Sequence, residues 1–316
     1  MITLSVICPV FNEESFIEEV IKFFLAADPQ EKELYIIDGG STDKTTEIVK
    51  GYIQVHNNIH LVSNPNRYVP YALNCVIPLC LGEYIVRLDA HTEYDLSYFT
   101  EIINTFKNTN ASIVGGPMRA VGKTPTQQAV AYATSTPLGV GNSTFHFDTI
   151  EGEADSVYLG AWKKDIFEKT GLFDTRFLRN QDDEFHYRAK SLGFKIWLNP
   201  RIKSYYFPRS TLKSLWRQYY QYGLFKPLVL RKIKSGMRIR HLIPSFFVLY
   251  LLMLPLLYFT IGVIAFAPLG LYFALVLFEV LRAGLSVRSK FFLLLVFPSL
   301  HISYGSGFLL GFRKSL

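Results

Sequence analysis

Short apolar runs alternate with amphipathic stretches over roughly the first 112 residues. The runs have the composition of buried strands, and the stretches between them place apolar residues at helical spacing. The runs are Leu4–Val10, Leu34–Asp38, His60–Val62 and Tyr84–Leu88, and the helical stretches include Glu14–Ala26 and Thr45–His56. Strand–helix alternation of this kind predicts an α/β fold with a mostly parallel sheet and crossover helices.

Polar residues follow three of these predicted strands. The segments are PVFNEE after the first strand, DGGSTD after the second and DAHT after the fourth. In open sheets of this class, ligands bind at the carboxyl ends of the strands. The pattern therefore predicts a site at that edge. The more irregular region Ile113–Tyr206 is interpreted as a continuation of the same domain, which we expect to span residues 1–210.

The composition changes in residues 211–241. This segment mixes aromatic, leucine and basic residues and contains no acid. Such a mixture is typical of an interfacial helix on an anionic membrane surface, with rings and leucines buried at the headgroup level. The net charge of +7 could also suit nucleic acid. Because the basic residues of the second half lie beside apolar segments, we favour a membrane partner over nucleic acid.

Residues 242–316 are predicted to be membrane-associated. The stretch Leu242–Phe278 carries no formal charge, which predicts a helical hairpin broken near Ala267–Gly270. A second apolar stretch, Phe291–Phe312, either crosses as a third span or forms a re-entrant or interfacial segment. The basic loop Arg282–Lys290 is expected on the inner side, like the basic segment before the hairpin.

The start of the chain and its cysteines indicate the compartment. MITLSVICPV alternates like a strand and lacks the basic head and cleavage site of a signal peptide. Cys8, Cys75 and Cys80 lie in apolar surroundings without a C-x-x-C pair, so they are interpreted as core residues in a reducing compartment. We therefore expect a multi-pass protein of the cell membrane whose N-terminal domain is cytoplasmic.

The polar segments have ordinary explanations beside functional ones. Pro9 is expected to fix the chain just past the first strand, and Asn12, Glu13 and Glu14 to open a helix, which a helix cap alone would explain. Asp38 ends a buried strand, and a tight βα turn explains the glycines after it but not the carboxylate. A carboxylate there can accept a hydrogen bond from a base or a ribose.

Asp89 and His91 offer a hard oxygen and a borderline nitrogen. This pair suits Mg²⁺ or Mn²⁺ when substrate phosphates supply the other ligands, although a satisfied aspartate beside a solvent-facing histidine would look the same. Arg87 could pair with an acid or contact phosphate. In RNQDDEFHYR, Glu184 and Arg188 stand four apart and can pair on one helix face, which leaves Asp182 available as a general base. A solvated acidic helix start is the alternative interpretation of this segment.

Four segments in this order resemble the family-2 glycosyltransferases of the GT-A fold. They are CPVFNEE, IIDGGSTDKT, YIVRLDAHTEY and RNQDDEFHYR, and the resemblance extends over roughly residues 3–223. With NPNRYVPYALN, PRSTLKSLWRQYYQYG and HISYGSGFLLG, the chain looks most similar to the membrane-attached enzymes of succinoglycan-type exopolysaccharide assembly. The resemblance implies a Rossmann-like nucleotide-diphospho-sugar transferase domain followed by C-terminal membrane helices.

The resemblance also implies roles for individual residues. The residues implied to form the nucleotide pocket are Pro9, Phe11 and Glu13, with Asp38 on the uracil and Asp89 on the metal-bound diphosphate. Arg67 is a further candidate for donor binding, which would either contact phosphate or pair with an acid. Asp89 and His91 would hold Mg²⁺ or Mn²⁺. Asp182 falls on the catalytic base, preceded by Gln181 where the family more often has glutamate.

The implied activity is inverting, metal-dependent transfer of a sugar from a nucleotide-sugar, expected to be a UDP-sugar. The acceptor would be a polyprenyl-diphosphate-linked saccharide in cell-surface polysaccharide biosynthesis. The Gln-x-x-Arg-Trp signature of processive synthases does not occur in the chain, which favours transfer of a single sugar. Two alternatives stay open: a polyprenyl-phosphate sugar synthase, and a non-catalytic membrane scaffold of an export complex.

Overall fold

A computed structural model describes residues 2–141, 144–146, 148–233 and 238–313. The strands are β1 (Leu4–Val10), β2 (Lys32–Asp38), β3 (Ile59–Ser63), β4 (Tyr84–Arg87), β5 (Thr92–Tyr94), β6 (Ile113–Gly116), β7 (Arg119–Ala120), β8 (Gly152–Glu153), β9 (Tyr158–Lys163), β10 (Ile196–Leu198) and β11 (Ser204–Tyr206).

The α-helices follow the same chain order. They are α1 (Ile17–Ala26), α2 (Thr45–Ile53), α3 (Val69–Val76), α4 (Tyr98–Asn108), α5 (Pro125–Thr134), α6 (Pro137–Val140), α7 (Ile166–Thr170), α8 (Gln181–Ser191), α9 (Leu212–Ile233), α10 (Ile239–Ile261), α11 (Ala267–Arg282) and α12 (Val287–Gly311). Short 3₁₀ turns occupy Ile77–Leu79, Thr144–His146 and Gly262–Phe266.

The eight-stranded sheet confirms the α/β prediction. Its order is β3-β2-β1-β4-β9-β6-β10-β8, and β1, β2, β3 and β4 run parallel to their neighbours in that group. Strand β9 runs antiparallel between β4 and β6. A smaller sheet has the order β5-β11-β7. Because β1 is flanked by β2 and β4, the three strands that the sequence marked with polar ends lie side by side.

The core of the larger sheet is apolar on the helix-facing side. Helix α1 buries Ile17, Val20, Ile21 and Phe24, which recur at the three- and four-residue spacing of one helix face. They pack with alternate residues of β1 such as Leu4 and others on β2 and α4. This packing fixes the strand register and therefore the edge at which the polar segments emerge.

The chain forms two compact units. One consists of residues 1–119 and 147–206, and the other of residues 120–146 and 207–316. The expected domain of residues 1–210 thus differs from the first unit, because residues 120–146 group with the C-terminal helices. The reason is packing: Ala129, Val130 and Ala133 of α5 are buried in a cluster with Val296 of α12 and apolar residues of α9 and α11.

The second unit is helical. Two of its segments, Ile239–Arg282 and Val287–Gly311, are long and apolar enough to span a membrane. The first is interrupted at Gly262–Phe266, slightly before the expected break at Ala267–Gly270. The interfacial prediction for α9 needs correction in part. Leu215 and Phe225, expected at the headgroup level, are buried inside this unit.

Candidate functional site

The polar ends of β1, β2 and β4 meet at one edge of the sheet. Val10 is paired with Asp38 in the register of β1 and β2, and Ile7 of β1 is paired with Arg87 of β4. Pro9 lies inside β1 and not past it, which corrects the expectation. It is tolerated there because the pairing of β1 with β4 ends at Ile7, so its missing N–H removes no bond on that side.

The turn after β2 is organised by Asp38. Its carboxylate accepts hydrogen bonds from the backbone N–H of Gly40 at 3.1 Å and of Ser41 at 3.1 and 3.2 Å. Gly40 has a φ of 82°, a backbone conformation that favours glycine. The strand-ending carboxylate therefore has a structural task in this chain, in addition to any ligand it accepts.

The segment after β1 holds that turn instead of opening a helix. Asn12 adopts a φ of 56°, its N–H donates to Ser41 Oγ at 2.9 Å, and its Oδ1 accepts from Thr42 N–H at 2.8 Å. The N–H of Glu13 donates to Thr45 Oγ1 at 2.8 Å. Since α1 begins only at Ile17, the prediction that residues 12–14 begin the helix is wrong.

Phe11 and Arg67 flank the same edge. Phe11 is 43% exposed, and the Arg67 guanidinium lies 5.2 Å from the centre of its ring. Arg67 has a φ of 65° and lies on the loop between β3 and α3. Backbone atoms of Arg67 are also close enough that a Cβ on Gly39 would lie 3.4 Å from its Cα. An exposed ring and a cation thus border the Asp38 turn.

Arg87 joins two carboxylates from distant parts of the chain. Its Nε and a terminal nitrogen contact Asp89 Oδ1 at 3.0 and 2.9 Å, and its other terminal nitrogen lies 3.7 Å from Asp182 Oδ2. The Arg87 side chain is 9% exposed, whereas that of Asp182 is 41% exposed. Of the two expectations for Arg87, pairing with an acid is confirmed, and it brings Asp182 to the strand edge.

This arrangement shifts the pKa values of both partners. Burial by itself would lower the pKa of Arg87, but the carboxylates of Asp89 and Asp182 outweigh burial and raise it. The pKa of Asp182 is raised above its ordinary value, chiefly by desolvation; Arg87 opposes the rise and the neighbouring Asp183 adds to it. Asp182 is therefore a stronger base than an exposed aspartate.

Aromatic hydroxyls surround Asp89. Tyr94 Oη accepts from the Asp89 N–H at 2.7 Å and donates to its carbonyl oxygen at 3.1 Å. Tyr158 lies 3.3 Å, hydroxyl to hydroxyl, from Thr92. Burial, with the nearby Asp89 charge, raises the pKa of both tyrosines well above the usual value, so both hydroxyls stay protonated. The sequence analysis did not select these tyrosines.

A bulge in β9 explains the position of Tyr158. Leu159 and Gly160, the two residues after it, have φ values of 59° and 75°, and the pairing of β9 with β6 shifts register there. A positive φ at leucine is uncommon, and bulges of this kind often redirect a side chain beside a site. The only sequence signal was the aromatic residue before Leu159-Gly160.

His91 lies beside a residue from the β1 segment. Its Nδ1 is 3.4 Å from Glu13 Oε1, and its ring centre is 6.3 Å from that of Tyr206 on β11. The structure therefore brings together Glu13 and His91, which the sequence placed in different motifs. Glu13 is 19% and His91 35% exposed, so both can reach a ligand.

Helix α8, which carries Asp182, is held in place by a buried ion pair and by hydrogen bonds. Glu184 is fully buried and makes the predicted bidentate pair with Arg188, at 2.8 and 2.9 Å. Arg188 also donates to the carbonyl of Thr170, which ties α8 to the end of α7. His186, one turn after Asp182, is buried with Nδ1 2.8 Å from Ser156 Oγ, and burial lowers its pKa to about 4.

The donor atoms fit a divalent cation that is shared with a ligand. Both hydrogen bonds from Arg87 go to Asp89 Oδ1, so Oδ2 is left as a potential ligand oxygen. Across residues 2–141, 144–146, 148–233 and 238–313, no three His, Cys, Asp or Glu side chains form a cluster that could hold a metal. A carboxylate and an imidazole that rely on phosphate oxygens are compatible with this observation.

Comparison with known proteins identifies the fold and family. The model of the family described as glycosyl transferase family 2 matches residues 5–195. This range includes every residue of the candidate site except Tyr206. The chain belongs to glycosyl transferase family 2. Among curated relatives, the succinoglycan biosynthesis protein ExoA of Rhizobium meliloti is 30% identical over 242 residues, or 76% of this chain and 73% of that protein.

A second relative of this family-2 chain comes from Methanococcus voltae. It is the dolichyl N-acetyl-alpha-D-glucosaminyl phosphate 3-beta-D-2,3-diacetamido-2,3-dideoxy-beta-D-glucuronosyltransferase, 33% identical over 239 residues, covering 72% of this chain and 74% of that protein. The resemblance stated from the sequence motifs is thereby confirmed.

Two solved structures share the fold. The mannosyltransferase PcManGT from Pyrobaculum calidifontis, in complex with GDP-Man and Mn²⁺, has a TM-score of 0.65 at 19% identity and covers 97% of this chain and 86% of its own. S. aureus TarS 1-349 in complex with UDP-GlcNAc has a TM-score of 0.53 at 16% identity, with coverages of 92% and 70%. The fold is therefore GT-A.

Proposed function

We propose that this family-2 chain transfers a single sugar, with inversion, from a nucleotide-sugar to a lipid-linked saccharide in cell-surface polysaccharide biosynthesis. The observation that carries the proposal is Arg87, which contacts Asp89 at the strand edge and lies 3.7 Å from Asp182. Donor phosphate chemistry and proton removal from the acceptor need two carboxylates at one place, and this arginine holds them there.

The donor side is assigned to the β1 and β2 ends. A carboxylate has about four acceptor positions, so Asp38 can accept from a uracil while it holds its turn. Pro9 and Phe11 would shape the pocket and Arg67 would contact the diphosphate beside the exposed Phe11 ring. We propose a UDP-sugar as the donor. Because the two solved structures with this fold contain GDP-Man and UDP-GlcNAc, the identity of the nucleotide in the donor has to be tested.

Asp89 and His91 are the residues proposed to hold Mg²⁺ or Mn²⁺ on the diphosphate. A bound divalent cation would neutralise charge on the leaving group. Glu13 would support this site from the β1 side, since its carboxylate lies 3.4 Å from the His91 ring nitrogen. The protonated hydroxyls of Tyr94 and Tyr158 keep the surroundings of Asp89 polar without adding charge.

Asp182 is proposed as the general base. Its raised pKa matches it better to a hydroxyl acceptor near neutral pH than an ordinary aspartate would be. The carboxylate removes the acceptor proton as the acceptor oxygen forms a bond to C1 of the sugar and the bond from C1 to the diphosphate oxygen breaks. One displacement of this kind inverts the anomeric centre, so an α-linked donor gives a β-linked product.

A lipid-linked acceptor is supported by the relatives and by the C-terminal helices. The names of the two relatives refer to succinoglycan biosynthesis and to a dolichyl sugar phosphate. Helices α10 and α11 expose many apolar side chains, such as Leu252 at 70% and Phe259 at 84%. We propose that this hairpin crosses the cell membrane twice, with the catalytic unit cytoplasmic and the acceptor a polyprenyl-diphosphate-linked saccharide.

Calorimetric titration tests the nucleotide and metal assignments. The detergent-purified chain is titrated with UDP and with GDP, each with and without Mn²⁺, beside Asp89→Ala. We expect Mn²⁺-dependent binding of UDP that Asp89→Ala abolishes. Asp165→Asn is the matched control, because Asp165 precedes α7 without capping it by a side-chain bond. Binding of GDP but not of UDP would replace uracil by guanine as the donor's nucleotide base. Folded protein that binds neither nucleotide would contradict the proposal.

The rate of sugar transfer tests the assignment of Asp182 as the general base. Asp182→Asn should retain nucleotide binding and lose roughly 10²–10⁴-fold in kcat. A cell that depends on the protein but tolerates Asp182→Asn would favour the scaffold alternative. Transfer to bare polyprenyl phosphate, assayed beside a saccharide-bearing acceptor, would favour the polyprenyl-phosphate sugar synthase instead.

A further inference from the structure

Helices α9 and α12 lie alongside each other, in parallel, with most of α9 packed mainly against the second half of α12. Contacts advance together along both: Leu215 packs in the cluster that contains Val296, and the Arg231 guanidinium donates to the Gly311 carbonyl at 2.7 Å. Glycines at the contact bring the backbones close. A Cβ on Gly307 would lie 2.1 Å from the Tyr220 carbonyl oxygen, so no side chain fits between the helices.

Helices α5 and α6 cover another side of α12, also in parallel. Ser289 Oγ donates to Gln128 Oε1 at 2.7 Å near the start of α12, and His301 Nε2 lies 2.8 Å from the Leu138 carbonyl oxygen further along. Between these bonds, Leu293 and Phe297 are fully buried. The N-terminal half of α12 is therefore a core helix of this unit.

Helices α10 and α11 differ in exposure. The first turns of α10 pack on α12, where a Cβ on Gly305 would lie 2.2 Å from the Pro244 carbonyl oxygen. From Leu249 to Leu275, Ala265 is the only apolar residue that is buried among the described side chains. Helix α10 has 23 residues and is about 35 Å long, enough for a hydrocarbon core of about 30 Å.

A membrane-spanning α12 would carry its neighbours into the lipid. Parallel contact means that the first turns of α9, with Lys213 and Arg217, would enter the lipid beside the middle and second half of α12. Cationic side chains near the bilayer centre are strongly disfavoured. Helix α5, rich in threonine and glutamine, would follow on the other side. Among the described residues, the exposed part of the α10–α11 hairpin has no such neighbours.

We infer that α12 does not cross the membrane, although it is long and apolar enough to do so. Of the residues that the structure describes, the α10–α11 hairpin enters the lipid, and α5, α9 and α12 form a helical layer at the headgroup level on the side from which the hairpin enters. The exposed Lys213, Trp216 and Arg217 of α9 give this layer the basic and aromatic side chains that an anionic lipid surface attracts. The end of α12 then lies on the same side of the membrane as the catalytic unit.

Cysteine labelling of the full chain in membrane vesicles of both orientations tests this topology. Cys75 is exposed and marks the catalytic side, whereas Cys8 and Cys80 are fully buried. Gly284→Cys and Arg313→Cys, each with Cys75→Ser, place one thiol before and one after α12. A Cβ on Gly284 meets nothing within 4 Å. We expect a membrane-impermeant maleimide to label both thiols from the side that labels Cys75.

The competing topology gives a different pattern. If α12 crosses, Arg313→Cys is labelled from the side opposite to Gly284→Cys, and the inference is wrong. Protection of Arg313→Cys from both sides until detergent is added would overturn it too. Should Arg313→Cys fail to accumulate, Phe312→Cys, at a side chain 51% exposed, replaces it. The readout needs no catalysis, so it stands apart from the proposed glycosyltransferase activity.

Discussion

A single buried arginine links the two acidic parts of the site. Arg87 contacts Asp89, at the end of the same strand, and lies close to Asp182, which is 95 residues further along the chain. Desolvation raises the pKa of Asp182, and the arginine limits the rise. The proton affinity of the proposed base is therefore lowered by the same residue that orients the proposed metal ligand.

Replacing Arg87 by methionine should move the acidic limb of the pH profile. Without the cation the carboxylate of Asp182 is less favoured, so its pKa rises further and the limb of kcat/KM moves to higher pH. On the acidic limb we expect a loss of roughly tenfold or more that is partly recovered as the pH rises. The measurement is kcat/KM against pH, with Arg87→Lys as the charge-conserving control.

Two results would contradict this role for Arg87. One is a limb that moves to lower pH in Arg87→Met. The other is an equal loss of activity at every pH, which would mean that the arginine acts only through the position of Asp89.

The residues that could be predicted from the sequence are those that follow strands. Asp38, Asp89 and His91 were selected because parallel strands end at one edge, and Glu184–Arg188 because of its helical spacing. Tyr94 and Tyr158 were missed because their positions depend on a short strand and on a bulge, which leave little periodic signal. The contact of Glu13 with His91 joins residues 78 apart, which no local pattern specifies.

At the scale of elements, the glycines of α12 acquire a meaning that the sequence did not suggest. They interrupt the last apolar stretch of the sequence, and in the structure they form its packing face. Gly307 and Gly311 lie one turn apart against α9, and Gly305 faces α10. The break in the hairpin also lies before its expected position: Gly262, with a φ of 65°, follows the end of α10, and α11 begins at Ala267 with Pro268 as its second residue.

Alanine at two helical glycines should change stability in opposite directions. Gly307→Ala forces α9 and α12 apart and should cost about 1–3 kcal/mol, which is a fall of several degrees in Tm. Gly270→Ala is the matched control, since nothing lies within 4 Å of its Cβ and alanine favours a helix. Thermal unfolding of the detergent-purified full chain measures both. Equal Tm values for the two variants would mean that the close α9–α12 contact does not stabilise the unit.

For the whole molecule, the order of elements along the chain does not give the division into units. The segment 120–146 begins at the last residue of β7, and chain order alone would group its helix α5 with the crossover helices that precede it. Only the partners of α5, which come from residues after 207, assign this segment to the second unit. A sequence reader has no local signal for such an assignment, because the buried alanines of α5 would suit either body.

Producing the catalytic unit without the C-terminal helices should therefore require the removal of two segments, residues 121–146 and the residues after Tyr206. A chain that ends at Tyr206 leaves Ala129, Val130 and Ala133 without the residues that bury them, and we expect it to aggregate. Replacing residues 121–146 in that chain by a short Gly-Ser linker removes the exposed face. The junction is feasible because Arg119 Nε and Asp148 Oδ2 are 3.9 Å apart. Size-exclusion chromatography and thermal unfolding should show a monomeric protein that unfolds cooperatively when the linker is present, and aggregates when the chain is only truncated. If the simple truncation were equally soluble and stable, α5 would not depend on the C-terminal helices.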